Sequence, residues 1–175
     1  KKSSCKTTIN LARQAIEADI GCFIYISSIK DNGERTNKQP YKESYLAMPE
    51  DDYAKSKYEA EEALKKLCKS SSMQLVIIRP PLIYGPGVKA NFLNLINLCK
   101  KQMPLPFGCV QNKRSLVYIE NLTSFITVCL TLPKAADETF LVSEKDDQHT
   151  ASLIRAIKNN LSKSPLLLPV PIFVF

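Results

Sequence analysis

The chain has 175 residues but only five glycines, at 21, 33, 85, 87 and 108, and neither a G-x-G-x-x-G nor a G-x-x-G-x-x-G among them. These residues therefore lack the turn that lets a backbone approach a dinucleotide pyrophosphate. One histidine and six cysteines without C-x-x-C spacing offer no ligand set for zinc. Several cysteines lie in apolar surroundings, which reads as buried free thiols in a reducing compartment. No apolar run reaches the roughly 18 residues of a membrane helix. The charged start KKSSCKTTINLARQAIEAD has no uninterrupted signal-peptide core. The apolar end PLLLPVPIFVF is short and broken by prolines. No internal repeat or low-complexity tract is present.

What is present is globular: 45% hydrophobic and 23% charged residues, enough at this length for one ordinary core. The net charge is +7, but the lysines are scattered and carry no interleaved aromatics. Neither a nucleic acid nor a membrane is expected as partner; a basic surface does suit a diphosphate-bearing small molecule.

Spacing predicts a helix over 6–18 with Ile9, Leu11, Ala12, Ala15 and Ile16 on its apolar face, a strand over 22–27, and a polar loop over 29–50. A helix over 51–70, acidic at its start as the helix dipole prefers, and a strand over 74–79 follow. Strand, helix and strand make a right-handed βαβ unit. Further on, the pattern gives helices over 92–101, 121–132 and 150–161, the last capped by Thr150, and strands over 115–118 and 139–142. A boundary is expected near 86–90, with domains 1–87 and 88–175.

Among seven tyrosines only Tyr53 has a lysine four residues on, Lys57, in a helix-forming context. Residues four apart share a helix face. A free phenol titrates near pH ~10, and a neighbouring ammonium favours the phenolate, so the pair suits proton transfer. The same spacing also describes an exposed helix pair worth a few tenths of a kcal/mol. Upstream, Phe23-Ile-Tyr-Ile-Ser-Ser28 reads as a buried parallel strand that ends in two hydroxyls. Ligands gather at such carboxyl ends, although Ser27 and Ser28 also read as a simple turn.

Strand-Ser27-Ser28, Tyr53-x-x-x-Lys57, Val76-Ile-Ile-Arg-Pro-Pro-Leu-Ile-Tyr-Gly-Pro-Gly87 and Lys113-Arg-Ser-Leu-Val-Tyr-Ile-Glu-Asn-Leu122 occur in this order over nearly the whole chain. Together they resemble the extended short-chain dehydrogenase/reductases, and within them the NAD-dependent nucleotide-sugar epimerase/dehydratase group. The resemblance implies an α/β fold: the C-terminal part of a Rossmann-like parallel sheet, over 1–87, and a smaller α/β substrate-binding region, over 88–175. It also implies that about a hundred residues bearing the glycine fingerprint belong upstream of Lys1, that the chain is cut short after Phe175, and that these residues alone bind NAD poorly and are inactive.

By the same resemblance, Tyr53 is the acid/base, Lys57 lowers its pKa and holds the nicotinamide ribose, and Ser28 donates to the reacting substrate oxygen. Ser27 and the backbone at Pro80 and Pro81 lie against the cofactor, which is NAD, with NADP as the alternative. Asn91 and Arg114 take the nucleotide diphosphate; on their own, Asn91 also reads as a helix cap and Arg114 as an exposed arginine. The family's dehydratases carry an acidic pair directly after the strand's hydroxyl residue, where this chain has Ile29-Lys30, so dehydration is disfavoured. A substrate-contacting asparagine common in related epimerases near Leu82 is missing, which leaves the sugar open. The activity implied is a 4-epimerase-like one on a UDP-hexose or UDP-N-acetylhexosamine. The alternatives are a nucleotide-sugar 4-ketoreductase and a non-catalytic binding module, and the segment RPPLIYGPG also resembles steroid and flavonoid reductases. A cytoplasmic homodimer is expected.

Overall fold

The structure, a computed structural model, describes residues 2–33, 39–43, 45, 47–101, 103–110, 112–162, 164 and 166–170. The middle of the expected 29–50 loop and the last five residues of the apolar end lie outside that description. No helix among the described residues is long and apolar enough to cross a membrane. The chain divides into two compact units.

The first unit holds residues 1–81 and 120–142. Its centre is a parallel sheet ordered β1 (Cys22–Ile26), β2 (Gln74–Arg79), β6 (Thr139–Leu141). Cys22 pairs with Gln74 and Ile26 with Ile78, while Ile77 pairs with Thr139 and Arg79 with Leu141. The run Leu75–Ile78 is buried on both faces of the sheet, the near-continuous apolar pattern of a covered parallel strand. Side chains alternate along it. Leu75 and Ile77 join Tyr25 on one face and pack with Ala12 of α1 (Lys2–Glu17) and with Ala60, Leu64 and Cys68 of α2 (Asp52–Cys68). Ile78 shares the other face with its partner Phe140, whose ring meets Phe125 of α4 (Ile119–Thr131) edge-on at 5.3 Å. Full burial of each such side chain contributes about 1.5–3 kcal/mol.

Leu11 departs from its expected place on the apolar face of α1 and is 57% exposed. Ile9, Ala12 and Ile16, at i, i+3 and i+7, form the stripe that packs, and Leu11 sits about 100° around the helix from Ala12. α2 starts as expected: Asp51 caps it by accepting from the Ala54 N–H at 2.6 Å and also receives the Lys30 ammonium at 2.8 Å.

The second unit holds residues 82–119 and 143–175. β3 (Leu82–Tyr84) pairs in parallel with β5 (Leu116–Tyr118), and β4 (Lys113–Arg114) pairs antiparallel with β7 (Gln148–His149). Phe92, Leu95 and Ile96 of α3 (Ala90–Lys100) and Leu153 and Ile157 of α5 (Thr150–Asn160) close over Leu82, Tyr84 and Leu116. Gly85 sits at φ +134°, and a Cβ there would lie 2.5 Å from Ile119 Cγ2 and 2.9 Å from the Tyr118 ring. Neither the backbone nor the space admits a side chain.

Two expectations change. Thr150 is not the cap of α5: it is the first helical residue, behind the extended His149, and its hydroxyl accepts from Arg114 instead. Nor does one boundary at 87 divide the chain. The first unit ends at Pro81, and the segment 120–142 returns to it. β6 completes the edge of β2, and a ladder partner for a buried strand outweighs adjacency in sequence.

Candidate active site

β1 stops at Ile26, and its carboxyl end opens into a 3-10 turn over Ile29–Asn32. Ser28 caps that turn in an extended conformation, and its Oγ accepts from the Lys30 N–H at 3.3 Å. Among the described residues its own hydroxyl proton has no acceptor, so it remains available to a ligand oxygen. Ser27 behaves differently. Its N–H continues the ladder to the Ile78 carbonyl at 2.7 Å, and its buried hydroxyl donates to Asp31 Oδ2 at 2.7 Å. Its side chain is thus engaged inside the unit.

The helix propensity of Asp52–Cys68 puts Tyr53 and Lys57 one turn apart on α2. Tyr53 is 53% exposed, and no group among the described residues hydrogen-bonds its hydroxyl. Lys57 is half-buried; its Nζ donates to the Ile26 carbonyl at 2.9 Å and lies 4.8 Å from the centre of the Tyr25 ring. Lys57 is therefore held at the end of β1 that carries Ser28, with Tyr53 one turn before it on α2, but the phenol is not acidified as expected. Partial burial pushes the Tyr53 hydroxyl up, and the carboxylates of Asp31 and Asp51 add to this, while only Lys30 pulls it down. Burial also pushes the Lys57 ammonium below its usual value, against the opposing pull of Asp31 and Glu61. Shared helix spacing brought the two residues close, and a backbone carbonyl took the ammonium.

Beneath them lies a buried polar cluster that the motifs did not announce. The Arg79 fork donates to both carboxylate oxygens of Glu61, at 2.9 and 2.5 Å, and to Asn32 Oδ1 at 3.0 Å. Arg79 is 3% exposed and Glu61 and Asp31 are 0% exposed. Two signals were legible: an arginine closing the otherwise apolar strand QLVIIR, and Glu61 four residues beyond Lys57 on the same helix. A buried guanidinium requires a carboxylate partner, but sequence does not say which one.

Of the other candidates, Pro80 accepts the Ile29 N–H at 3.1 Å and so ties β2 to the turn after β1. Pro81 is half-buried at the end of the first unit. In the second unit, Asn91 is exposed in the first turn of α3; Lys89 holds the N-cap position without a side-chain hydrogen bond, so Asn91 is not the cap. Arg114 is exposed on β4, with its Nε donating to Thr150 Oγ1 at 3.3 Å and no carboxylate partner among the described residues. A cavity of about 460 Å³ lies elsewhere, at the amino ends of β2 and β6 between Cys68, Met73, Leu75 and Asp137. It is open, has no part in the Tyr53 cluster, and lies at the wrong end of a parallel sheet for ligand chemistry.

Residues 1–160 match the 3-beta hydroxysteroid dehydrogenase/isomerase family. The chain is 52% identical over 170 residues to a UDP-glucose 4-epimerase of Vibrio cholerae, covering 96% of this chain and 52% of that protein. It is 29% identical over 154 residues to the N-acetyl-alpha-D-glucosaminyl-diphospho-ditrans,octacis-undecaprenol 4-epimerase of Escherichia coli O157:H7, covering 86% of this chain and 46% of that protein. It thus spans about half the length of the curated relatives it matches. Among solved structures, the UDP-glucuronic acid 4-epimerase of Bacillus cereus with NAD superposes with a TM-score of 0.80 at 22% identity, over 92% of this chain and 56% of that one. That likeness shows a shared Rossmann-type α/β fold. The chain belongs to the 3-beta hydroxysteroid dehydrogenase/isomerase family, among the extended short-chain dehydrogenase/reductases.

Proposed function

We propose that the protein containing this chain is an NAD-dependent nucleotide-sugar 4-epimerase acting on a UDP-hexose or UDP-N-acetylhexosamine. The observation that carries the reading is the Lys57 ammonium held at the carboxyl end of β1, two residues before a Ser28 hydroxyl with an unengaged proton, with the half-exposed Tyr53 one turn before Lys57 on α2. The 52% identity to a UDP-glucose 4-epimerase supports it.

These residues fit the nicotinamide half of a dinucleotide. Lys57 uses one of its three N–H donors on Ile26 and keeps two for a ribose hydroxyl, and Tyr53 lies one turn away. The pyrophosphate half has no glycine turn within this chain. When bound, the nicotinamide supplies hydride acceptance and return at the sugar carbon. The Tyr53 phenolate takes the proton of the sugar 4-hydroxyl and gives it back to the same oxygen. Ser28 donates a hydrogen bond to that oxygen and steadies the charge that builds there. Lys57 contributes its charge while it is held against β1. Arg114, lacking a carboxylate partner among the described residues, and Asn91 at the start of α3 take the substrate diphosphate, where a guanidinium fork and a helix N-terminus favour anions. Lys30, two residues after Ser28, is paired with Asp51, and no acid pair for water elimination follows Ser28 directly. The reading extends to a cytoplasmic homodimer packed through α1 and α2, where Leu11 is exposed.

The test is a product assay on the protein expressed from its complete reading frame, with UDP-glucose and UDP-N-acetylglucosamine, with and without added reduced cofactor. Equilibration of the C4 epimers without added cofactor is expected. Conversion only when reduced cofactor is supplied, with net reduction of a 4-keto sugar, replaces the epimerase by a ketoreductase. No conversion under either condition leaves a binding module.

A further inference from the structure

Asp31 stands in the turn directly after the active-site strand, and it is 0% exposed. Its Oδ2 accepts from Ser27 Oγ at 2.7 Å. Its Oδ1 has no donor among the described residues. Arg79, the cation able to supply one, turns its fork to Glu61 and Asn32 instead. The Glu61 carboxyl of α2 lies beside Asp31 and acts on its titration. Two carboxyl groups form a hydrogen bond only when one carries a proton, and a buried acceptor without a donor is costly.

The groups that face this acid come from every element around it: Glu61, Lys57 and Tyr53 from α2, Arg79 from β2, Tyr25 from β1, and Ser27 from the turn. Of these, Arg79 and Glu61 neutralise each other at hydrogen-bond distance. Tyr53 itself meets Asp31 and Asp51, which oppose its phenolate, and Lys30, which favours it; Lys30 and Asp51 pair with each other, so the ionisation of Asp31 is the change of charge that Tyr53 meets.

We propose that Asp31 is a positioning residue of the Tyr53–Lys57 site, a buried acid that presents its proton to Glu61 and whose ionisation sets how readily the Tyr53 phenol gives up its own proton. Which reaction this serves rests on the epimerase reading above; the electrostatic coupling itself does not. Burial first, then the Glu61 carboxyl, lift the Asp31 carboxyl to about 7, with Ser27 and Arg79 opposing. Burial also pushes Glu61 up, but the Arg79 fork outweighs it and keeps that partner ionised. The sign follows. On the acid side Asp31 is neutral and the phenolate is favoured. As pH rises through the titration of Asp31, its carboxylate opposes the phenolate. The working form of the base is thereby extended to lower pH than a permanently ionised acid would permit.

The experiment is carbon-13 NMR titration of the full-length protein labelled at tyrosine Cζ and aspartate Cγ, with Tyr53→Phe and Asp31→Asn for assignment, alongside the pH profile of kcat and KM. In the wild type, Asp31 is expected to titrate in the neutral range, with a matching inflection at Tyr53. In Asp31→Asn that inflection disappears, Tyr53 ionises at lower pH, and the acid limb of kcat moves to lower pH with KM unchanged. Each unit of that movement is about tenfold in phenolate population on the acid side. An Asp31 that titrates in the ordinary range near about 4, or a Tyr53 indifferent to it, overturns the proposal. So does an active Asp31→Asn enzyme whose acid limb has not moved. Coupled NMR titrations in a protein that epimerises nothing sink the epimerase reading and leave Asp31 in place. If Asp31→Asn does not fold, the wild-type titration decides alone.

Discussion

The Lys57 ammonium donates to the Ile26 carbonyl oxygen at 2.9 Å. The cation of the Tyr-x-x-x-Lys pair is thus anchored on the last residue of β1, two residues before Ser28, rather than on the phenol one turn behind it. Positioning of the pair depends on the backbone of the strand end, and the Tyr53 hydroxyl stays open to a ligand.

Tyr53→Phe in the full-length protein is expected to lower kcat by at least ~10²-fold, the scale of lost acid–base catalysis. Its melting temperature should not move, because no group among the described residues hydrogen-bonds that hydroxyl. Steady-state kinetics beside thermal unfolding checks both; unchanged turnover removes Tyr53 from the mechanism.

Arg114→Ala should weaken nucleotide-sugar binding and leave NAD binding nearly intact, since Arg114 is exposed in the second unit and Lys57 belongs to the first. Calorimetric titration with UDP and with NAD separates the two. Equal loss of both points to damage at β4 through the lost contact with Thr150.

Arg79→Met breaks the buried pair with Glu61 and strands a carboxylate in the interior. A loss of about 3–5 kcal/mol is expected, read by urea unfolding. A loss below about 1 kcal/mol, the scale of an exposed pair, means that Glu61 finds another donor or takes up a proton.

Asp51 both caps α2 and pairs with Lys30. The Lys30 hydrogen bond first, then the Ala54 N–H, hold its carboxyl below the usual range. A depressed folded-state pKa gives stability that is present above the ordinary aspartate value and is lost as pH falls through the folded value. Asp51→Ala should therefore cost about 1 kcal/mol at neutral pH, the typical worth of a cap, and progressively less below pH ~4. Asp51→Asn, which still caps, should cost less. Equal losses for the two variants would assign the effect to the ion pair. Thermal melts from pH 3 to 7 distinguish these outcomes.

Much of this was legible in the sequence. Apolar β-branched runs at 22–26 and 74–79 with a charged helix between them dictate β1, α2 and β2, and Ser27-Ser28 directly after the first run places two hydroxyls at its carboxyl end. Four things were not legible. Helix spacing gives proximity of Tyr53 and Lys57, but not the acceptor that the lysine chooses. Glu61 and Arg79 lie 18 residues apart, and no periodicity links a helix face to a strand end. Asp31 reads as an ordinary turn residue, because its burial is created by α2 and β2 folding over it. The return of α4 and β6 to the first unit is likewise a fact of ladder pairing, invisible to a reading that moves along the chain.

That return has a practical corollary. The polypeptide changes unit at 81/82, at 119/120 and again at 142/143. No single scission can yield two autonomous pieces. A fragment ending at residue 87 keeps β1 and β2 but surrenders β6, baring the hydrogen-bonding edge of β2 and the side chain of Ile78, the strand partner of Phe140. Such a fragment presents a sticky, unpaired β edge and belongs in inclusion bodies, so dissection of the protein has to proceed by point substitution or by circular permutation rather than by truncation.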